Sequence, residues 1–463
     1  MKKQRFLSIF LAAAVLVGLL CPAVLAAPEE DSFEALTVSA KAALLVDGDT
    51  GQVLLDQNSH KELYPASITK CMTTLLVLQA VDKGQLTLDQ TITASQSAID
   101  MLTADSSTAG IKVGEQLTVE QLLYCVMIQS ANEACYILAE TVSGSVDAFV
   151  EDMNEEAERL GCENTHFVNP CGLQDADHYT SAWDIYLIIK EAMKYSTFMT
   201  LANTTKYTLP ATNLSEQRVF HTTNYLLDGW RATGYIYPYA KGIKTGHTSD
   251  AGYCLVSYAE KGERSLISVV LGAQAVTTDG KTDYQSFSET KRMFEWGFNS
   301  FKRTTILDHA DLVSQMPVTL SRKTNYVSVH PKEDVEVLLP SNLTAEDLTQ
   351  TVKLDAESVE APVTTGQKLG TVTVTDSSGT VYATADLVAA NEVPVSQILL
   401  VLHKIQVLFA NPLVKILAVV ILVLIILAVI SAVPSATAAG RATAPATATA
   451  VITAADAEWK NGK

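Results

Sequence analysis

The rhythm of apolar positions changes several times along this chain, and each change marks a structural boundary. Stretches 42–46 and 53–55 are apolar and flank Asp47-Gly-Asp-Thr-Gly51, which predicts a strand, a turn and a second strand. Ile68, Met72, Leu75, Leu76 and Val81 then recur at helical spacing, with Pro65 at the entry and Gly84 past the end. Thr118-Val-Glu-Gln121 is a capping box that opens a second apolar helix through Ile128. That helix breaks at Gln129-Ser-Ala-Asn132, and an amphipathic run follows over 133–142. Ser145 opens a helix that stops near Leu160-Gly161, and Thr180 is placed to cap another over 181–194. Residues 200–240 are polar and irregular, as a loop carrying small strands would be. Strand patterns return at 243–245, 252–259 and 265–271, and a helix over 284–298 ends the unit. Strands, then mostly helices, then strands and a last helix predict an α+β domain over 35–300 whose sheet closes from both chain ends.

After about residue 304 short alternating stretches at 335–339, 352–354, 369–374 and 382–388 are separated by Pro, Gly, Asn and Asp. They predict a small all-β domain over 304–390, either a spacer or a binding module. Residues 416–433 are then apolar on every side, an uncharged run of 18 at the lower length limit for a bilayer span. The preceding 395–409 are mainly apolar, with His403 and Lys404, and suit a membrane interface, so 395–433 together predict a membrane anchor. Residues 434–463 are Ala- and Thr-rich, a low-complexity tail with little to fold. At the other end Lys2, Lys3 and Arg5 precede an apolar run, and Val24-Leu-Ala26 offers small residues for cleavage, so residues 1–26 predict a secretory signal peptide.

Charge sharpens this picture. Losing residues 1–26 removes three basic residues and no acidic one, taking the formal charge from −18 to −21. So acidic a chain is poorly suited to nucleic acid or to holding anionic lipid by charge. Without Cys21, six cysteines remain with no CxxC pair, spread through apolar stretches. They predict buried free thiols rather than a disulfide framework or a metal site. No metal or cofactor is expected.

The candidate chemistry lies in Tyr64-Pro-Ala-Ser-Ile-Thr-Lys70. On a helix Ser67 and Lys70 share one face, and a serine hydroxyl needs a base beside it to become a nucleophile. Lysine can be that base when burial or a neighbouring cation lowers its pKa. Ser288-Glu-Thr-Lys291 has the same spacing, but it lies inside an amphipathic helix with no entry signal and predicts a solvated face. What separates the two is the order Ser67-Ile-Thr-Lys70, Ser130-Ala-Asn132 and Lys244-Thr-Gly246, the last a triplet that occurs once.

This set resembles the penicillin-recognising serine enzymes, and within them the low-molecular-mass penicillin-binding proteins, the D-alanyl-D-alanine carboxypeptidases. His166-Phe-Val-Asn-Pro170 with Gly172-Leu173, Asn224, and Lys244 to Ser249 with Ala251-Gly-Tyr253 look like that family's phrases. The later β stretch resembles its second domain at Ala361-Pro-Val363 and Gly366 to Gly370, so the likeness covers roughly 35–390. Many members carry Asp where this chain has Glu133, a change expected to matter little. The resemblance implies a penicillin-binding-protein and serine β-lactamase-like transpeptidase fold, followed by the β domain and the membrane helix.

It also implies roles. Ser67 forms the acyl-enzyme, Lys70 takes its proton and Ser130 relays a proton to the leaving amine. Asn132 orients Lys70 and binds the substrate amide, while Lys244 and Thr245 hold the terminal carboxylate. Gly246 lets the substrate backbone approach, and the main-chain N–H groups of Ser67 and His247 form the oxyanion hole. His247 and Asp250 do not form a triad with Ser67, because Lys70 already serves it. The substrate is a peptidoglycan stem peptide, β-lactams are covalent inhibitors, and the enzyme is held at the outer face of the cytoplasmic membrane. Two rival readings remain at this point. One is a serine β-lactamase, although Glu155, Glu156, Glu158 and Glu163 all lack the Asn four residues on that a class A enzyme would show. The other is a non-catalytic wall-binding or antibiotic-sensing module, which has no need of a general base.

Overall fold

The computed structural model describes residues 35–432; the segment 1–26, expected to be a signal peptide, and the tail 434–463 lie outside the described residues. The expected sheet is present and antiparallel. Its strands are β1 (Ala42–Asp47), β2 (Val53–Gln57), β3 (Ala240–Thr248), β4 (Gly252–Lys261) and β5 (Arg264–Ala273), in the order β2-β1-β5-β4-β3. β1 thus pairs with β5, about 220 residues later in the chain, and β3 is left at an edge.

Every residue of β1 is buried, because the sheet is covered on both faces. Ala42, Leu44 and Val46 face one core, Ala43 and Leu45 the other, as the period-2 pleat requires. The first core is filled by α1 (Lys70–Asp82), α2 (Asn132–Ser143), α3 (Val146–Leu160) and α4 (Ala182–Ala192). The second is closed by α5 (Gln285–Asn299), through Phe287, Met293, Phe294 and Phe298. Such fully buried apolar side chains each contribute about 1.5–3 kcal/mol.

Several boundaries differ from the sequence pattern, each for a local reason. The turn before α1 is a 3-10 helix, Ala66–Thr69, and α1 begins at Lys70 rather than Ser67. Everything from Lys70 to Leu78 is buried, so α1 is the central helix of the first core. The Thr118 capping box forms as expected, but the helix it opens (Val119–Tyr124) ends in a π-helical turn, Cys125–Gln129. Ser181, not Thr180, caps α4, accepting from the Asp184 N–H; the Thr180 hydroxyl is paired with Thr165. Within 200–240 the strands Lys206–Leu209 and Arg218–His221 form a hairpin.

From Phe301 onward the chain is strand, apart from the 3-10 turn Ala345–Asp347, until the C-terminal helices. Phe301–Leu307 pairs with Val335–Pro340, and six further strands form one sheet. Val372 and Val374 are buried with a half-buried threonine between them, the alternation the sequence showed over 369–374, and Val327 and Val329 are buried in the same way. Packing divides the chain into two units, one drawing on residues up to 311, 331–353 and 371–387, the other on 312–330, 354–370 and 388 onward. The last described elements are α6 (Gln397–Ala410) and α7 (Pro412–Ala432). An 18-residue window within 412–431 has a mean hydropathy of 3.5, and none of that window is buried. At 1.5 Å per residue α7 is about 31 Å long, close to the thickness of a bilayer's hydrocarbon core.

Candidate active site

The site is built where the turn before α1 meets the break before α2 and the edge strand β3. Ala66 and Ser130 both adopt the left-handed backbone region, at φ 49° and 62°. For residues with a side chain this costs about 1–2 kcal/mol each, and it aims Ser67 and Ser130 out of the regular path of their helices.

Lys70 is completely buried, and its Nζ has three oxygen neighbours. It lies 2.9 Å from Ser67 Oγ, 2.9 Å from Asn132 Oδ1 and 2.6 Å from the Cys171 carbonyl. Two of these oxygens can only accept. A neutral amine has two N–H bonds to give them, which leaves its lone pair facing the one neighbour able to donate, the Ser67 hydroxyl. The arrangement therefore suits proton abstraction from Ser67.

Lys244 is the second buried lysine, 1 % exposed. Its Nζ donates to Ser130 Oγ at 3.0 Å and to the Thr245 carbonyl at 3.2 Å. Burial first, and then repulsion from Lys70, lower it from the usual lysine range to about 7. The Thr245 hydroxyl is paired with Thr223 at 2.5 Å.

A cleft of about 340 Å³ opens over these groups, lined among others by Ser67, Ser130, Thr245, Gly246 and His247. Its far wall is aromatic: Tyr225 stacks on Phe287 at 4.6 Å, and Tyr253 meets Tyr284 edge-on at 5.3 Å. The His247 ring lies 4.2 Å from that of Tyr253, and burial lowers its pKa. All eight residues singled out in the sequence come together, five on the cleft and Lys70, Asn132 and Lys244 buried behind it. Ser288 does not join them; its hydroxyl donates to Asp283.

Other supports were not visible in sequence. The Asn169 side-chain oxygen accepts from the backbone N–H groups of Cys171, Gly172 and Leu173, folding the loop that presents the Cys171 carbonyl to Lys70. Burial holds His178 down at about 4. It is thus neutral, with Nδ1 accepting from the Val168 N–H at 3.1 Å, which leaves Nε2 to donate to Thr69 Oγ1 at 2.8 Å. Buried Glu133 accepts from Thr108 Oγ1 and the Ala109 N–H, fixing a loop beside the cleft. The only sequence signals for these were the turn-forming Asn169-Pro-Cys-Gly172 and a glutamate following Asn132.

Two glycines matter by what they leave empty. A Cβ on Gly246 would stand 2.7 Å from the Pro65 carbonyl and 3.2 Å from the Ser67 nitrogen. Its missing side chain thus makes room for the Ser67 turn, not only for a ligand. A Cβ on Gly172, at φ +82°, would lie 1.9 Å from the Ala66 carbonyl oxygen. Gly84 also has positive φ, but nothing lies within 4 Å of its absent Cβ. Gly84→Ala should therefore cost only about 1–2 kcal/mol of backbone strain. Gly172→Ala should cost at least about 1–3 kcal/mol more, read as a larger loss of Tm by calorimetry. Equal losses would mean that the 169–172 loop yields without strain.

Residues 29–275 match the family D-alanyl-D-alanine carboxypeptidase, and residues 301–395 match penicillin-binding protein 5, C-terminal domain. The chain is 31% identical to D-alanyl-D-alanine carboxypeptidase DacF of Bacillus subtilis over 389 residues, 84% of this chain and 94% of that protein. It is 29% identical to D-alanyl-D-alanine carboxypeptidase DacA of Escherichia coli K12 over 391 residues, 81% of this chain and 90% of that one. Among solved structures, penicillin binding protein 5 from Haemophilus influenzae is similar with a TM-score of 0.63 at 28% identity, covering 78% of this chain and 99% of its own.

Proposed function

We infer the roles below from one premise: this chain belongs to the D-alanyl-D-alanine carboxypeptidase family. It is a serine-type carboxypeptidase, a penicillin-binding enzyme that acts on peptidoglycan; the lactamase and non-catalytic readings are not favoured.

The observation that carries the assignment is the 2.9 Å contact of a fully buried lysine with one serine on the cleft. Ser67 Oγ attacks the carbonyl carbon between the two terminal D-alanines while its proton passes to Lys70. The oxyanion is held by the Ser67 and His247 N–H groups, a contribution of roughly 3–4 kcal/mol per donor in comparable sites. β3 is an edge strand, so the sheet leaves one row of its main-chain groups free to face the cleft. The C–N bond then breaks, and Ser130 gives its proton to the departing D-alanine amine and regains one across the 3.0 Å contact with Lys244. Lys70 then releases to the solvent of the cleft the proton it took from Ser67, and Lys244 regains one from the same solvent; neutral again, Lys70 takes a proton from the attacking water and returns it to Ser67 Oγ as the acyl–oxygen bond breaks. The terminal carboxylate of the stem peptide is held by Lys244 and Thr245, and β-lactams acylate the same serine. The match over 301–395 supports a separate second domain from about 304 to 390.

Release of D-alanine from a peptide ending in D-Ala-D-Ala tests the nucleophile. Ser67→Ala should lower the rate at least about 1000-fold and abolish covalent labelling by penicillin, whereas Ser288→Ala should keep both. Labelling that survives the loss of Ser67 would falsify the assignment.

The position of Lys244 near 7 gives a pH dependence. Its cation, present below neutrality, is lost as pH rises through about 7, so kcat/KM toward a carboxylate-ended peptide should fall on the alkaline side. Lys244→Arg keeps its charge and should carry that limb to higher pH, even with a lower maximum. Lys244→Gln should lose about 10–100-fold in kcat/KM at pH 6.5, the worth of a charge-assisted hydrogen bond. An alkaline limb unmoved in Lys244→Arg would assign it to another group.

Export and anchoring complete the proposal. α7 spans the cytoplasmic membrane and holds the enzyme on its outer face, with the N-terminal signal setting the orientation; the length and apolarity of α7 support this. The exported protein ending at Asn391 should be soluble and keep full activity. If that shortened protein still sediments with membranes, a segment other than α6 and α7 binds lipid.

A further inference from the structure

We propose that Asp105 is a specificity residue that selects stem peptides with a free ammonium group on the residue before D-alanyl-D-alanine. This rests on the carboxypeptidase assignment above and narrows its substrate class. Asp105 is the one acidic residue among those lining the cleft, beside Ser107 and facing the same space as Ser67 and Ser130. It is exposed, and among the described residues its carboxylate has no hydrogen bond or ion pair.

The loop that carries it, by contrast, is firmly held. The Thr103 N–H donates to Ser106 Oγ, the Ser107 carbonyl accepts from the Asn132 N–H at 2.8 Å, and Glu133 receives both Thr108 Oγ1 and the Ala109 N–H. A carboxylate with no partner is thus presented on a loop fixed from both sides.

Its place in the cleft decides what it meets. The leaving end of the substrate is anionic and belongs with Lys244 and Thr245 on β3. Asn132 takes the amide on the acyl side, and the loop of Asp105 is hydrogen-bonded to Asn132 itself. Asp105 therefore stands beside the residues upstream of the scissile bond. A basic diamino acid there offers an ammonium group, and an acetylated or cross-linked one does not. The cleft then reads charge at both ends of the peptide, anion at Lys244 and cation at Asp105.

The test uses two peptides ending in D-Ala-D-Ala that differ in one group, a free lysine amine or its Nε-acetyl form, just before the D-alanines. D-alanine release is measured with the wild type, Asp105→Asn and Asp105→Lys. The wild type should prefer the free amine by about 3–10-fold in kcat/KM, the range of a partly exposed charge pair, and the preference should shrink at 0.5 M salt on the order of the Debye screening expected there. Asp105→Asn should bring the ratio to about one by losing rate on the free amine alone, with the acetylated peptide unchanged. Asp105→Lys should reverse it. An equal ratio in wild type and Asp105→Asn overturns the role of Asp105 while leaving the carboxypeptidase assignment intact. No release from either peptide by the wild type overturns both.

Discussion

A lysine with no exposure to solvent, held against a serine by a neighbouring carbonyl and an amide, is the constraint on which the rest depends. Burying an amine without partners would cost several kcal/mol, so its acceptors have to be supplied by the fold. Lys70 draws them from places far apart in the chain: Ser67 one turn away, Asn132 at the head of α2 and the Cys171 carbonyl from a loop over a hundred residues on. α1 must therefore be the central helix, and α2 and the 169–172 loop must close over its first turn.

The closeness of that assembly explains two glycines. The Ser67 turn is pressed between β3 and the 169–172 loop, and each approaches so near that only a residue without a Cβ fits, Gly246 on one side and Gly172 on the other. The left-handed conformations of Ala66 and Ser130 belong to the same economy of space. Strain of this kind persists because the surroundings over-determine the backbone, here an extensive apolar core together with buried hydrogen-bonded groups such as Thr69, Thr73 and Glu133.

Two buried lysines facing one another across Ser67 and Ser130 give the site its electrostatic character. Burial first, and then the nearness of Lys70, disfavour charge on Lys244. A substrate carboxylate arriving at Lys244 would return the cation to favour, which couples binding to protonation. His178 contributes differently: kept neutral by burial, it is a fixed donor and acceptor that ties Thr69 to Val168.

Local periodicity was enough to determine a good deal. The three-residue spacing of Ser67 and Lys70, the capping box at Thr118, the order of the three motifs, the both-ends sheet and the apolar C-terminal helix are short-range patterns, and they were legible because helix and strand geometry repeat over a few residues. The same reading placed a cap at Thr180 instead of Ser181, and did not foresee that Gly246 also leaves room for Pro65 and the Ser67 turn. It could not find His178 or the Cys171 carbonyl, whose roles consist of contacts across ten to about a hundred residues. Such contacts follow from how helices pack on a sheet, and packing is set by complementarity of whole surfaces, not by the spacing of residues along one segment. Which of two Ser-x-x-Lys copies faces a second lysine was likewise hinted at by motif order, but only the tertiary structure brought Ser130, Asn132 and Lys244 to Ser67 and left Ser288 with Asp283.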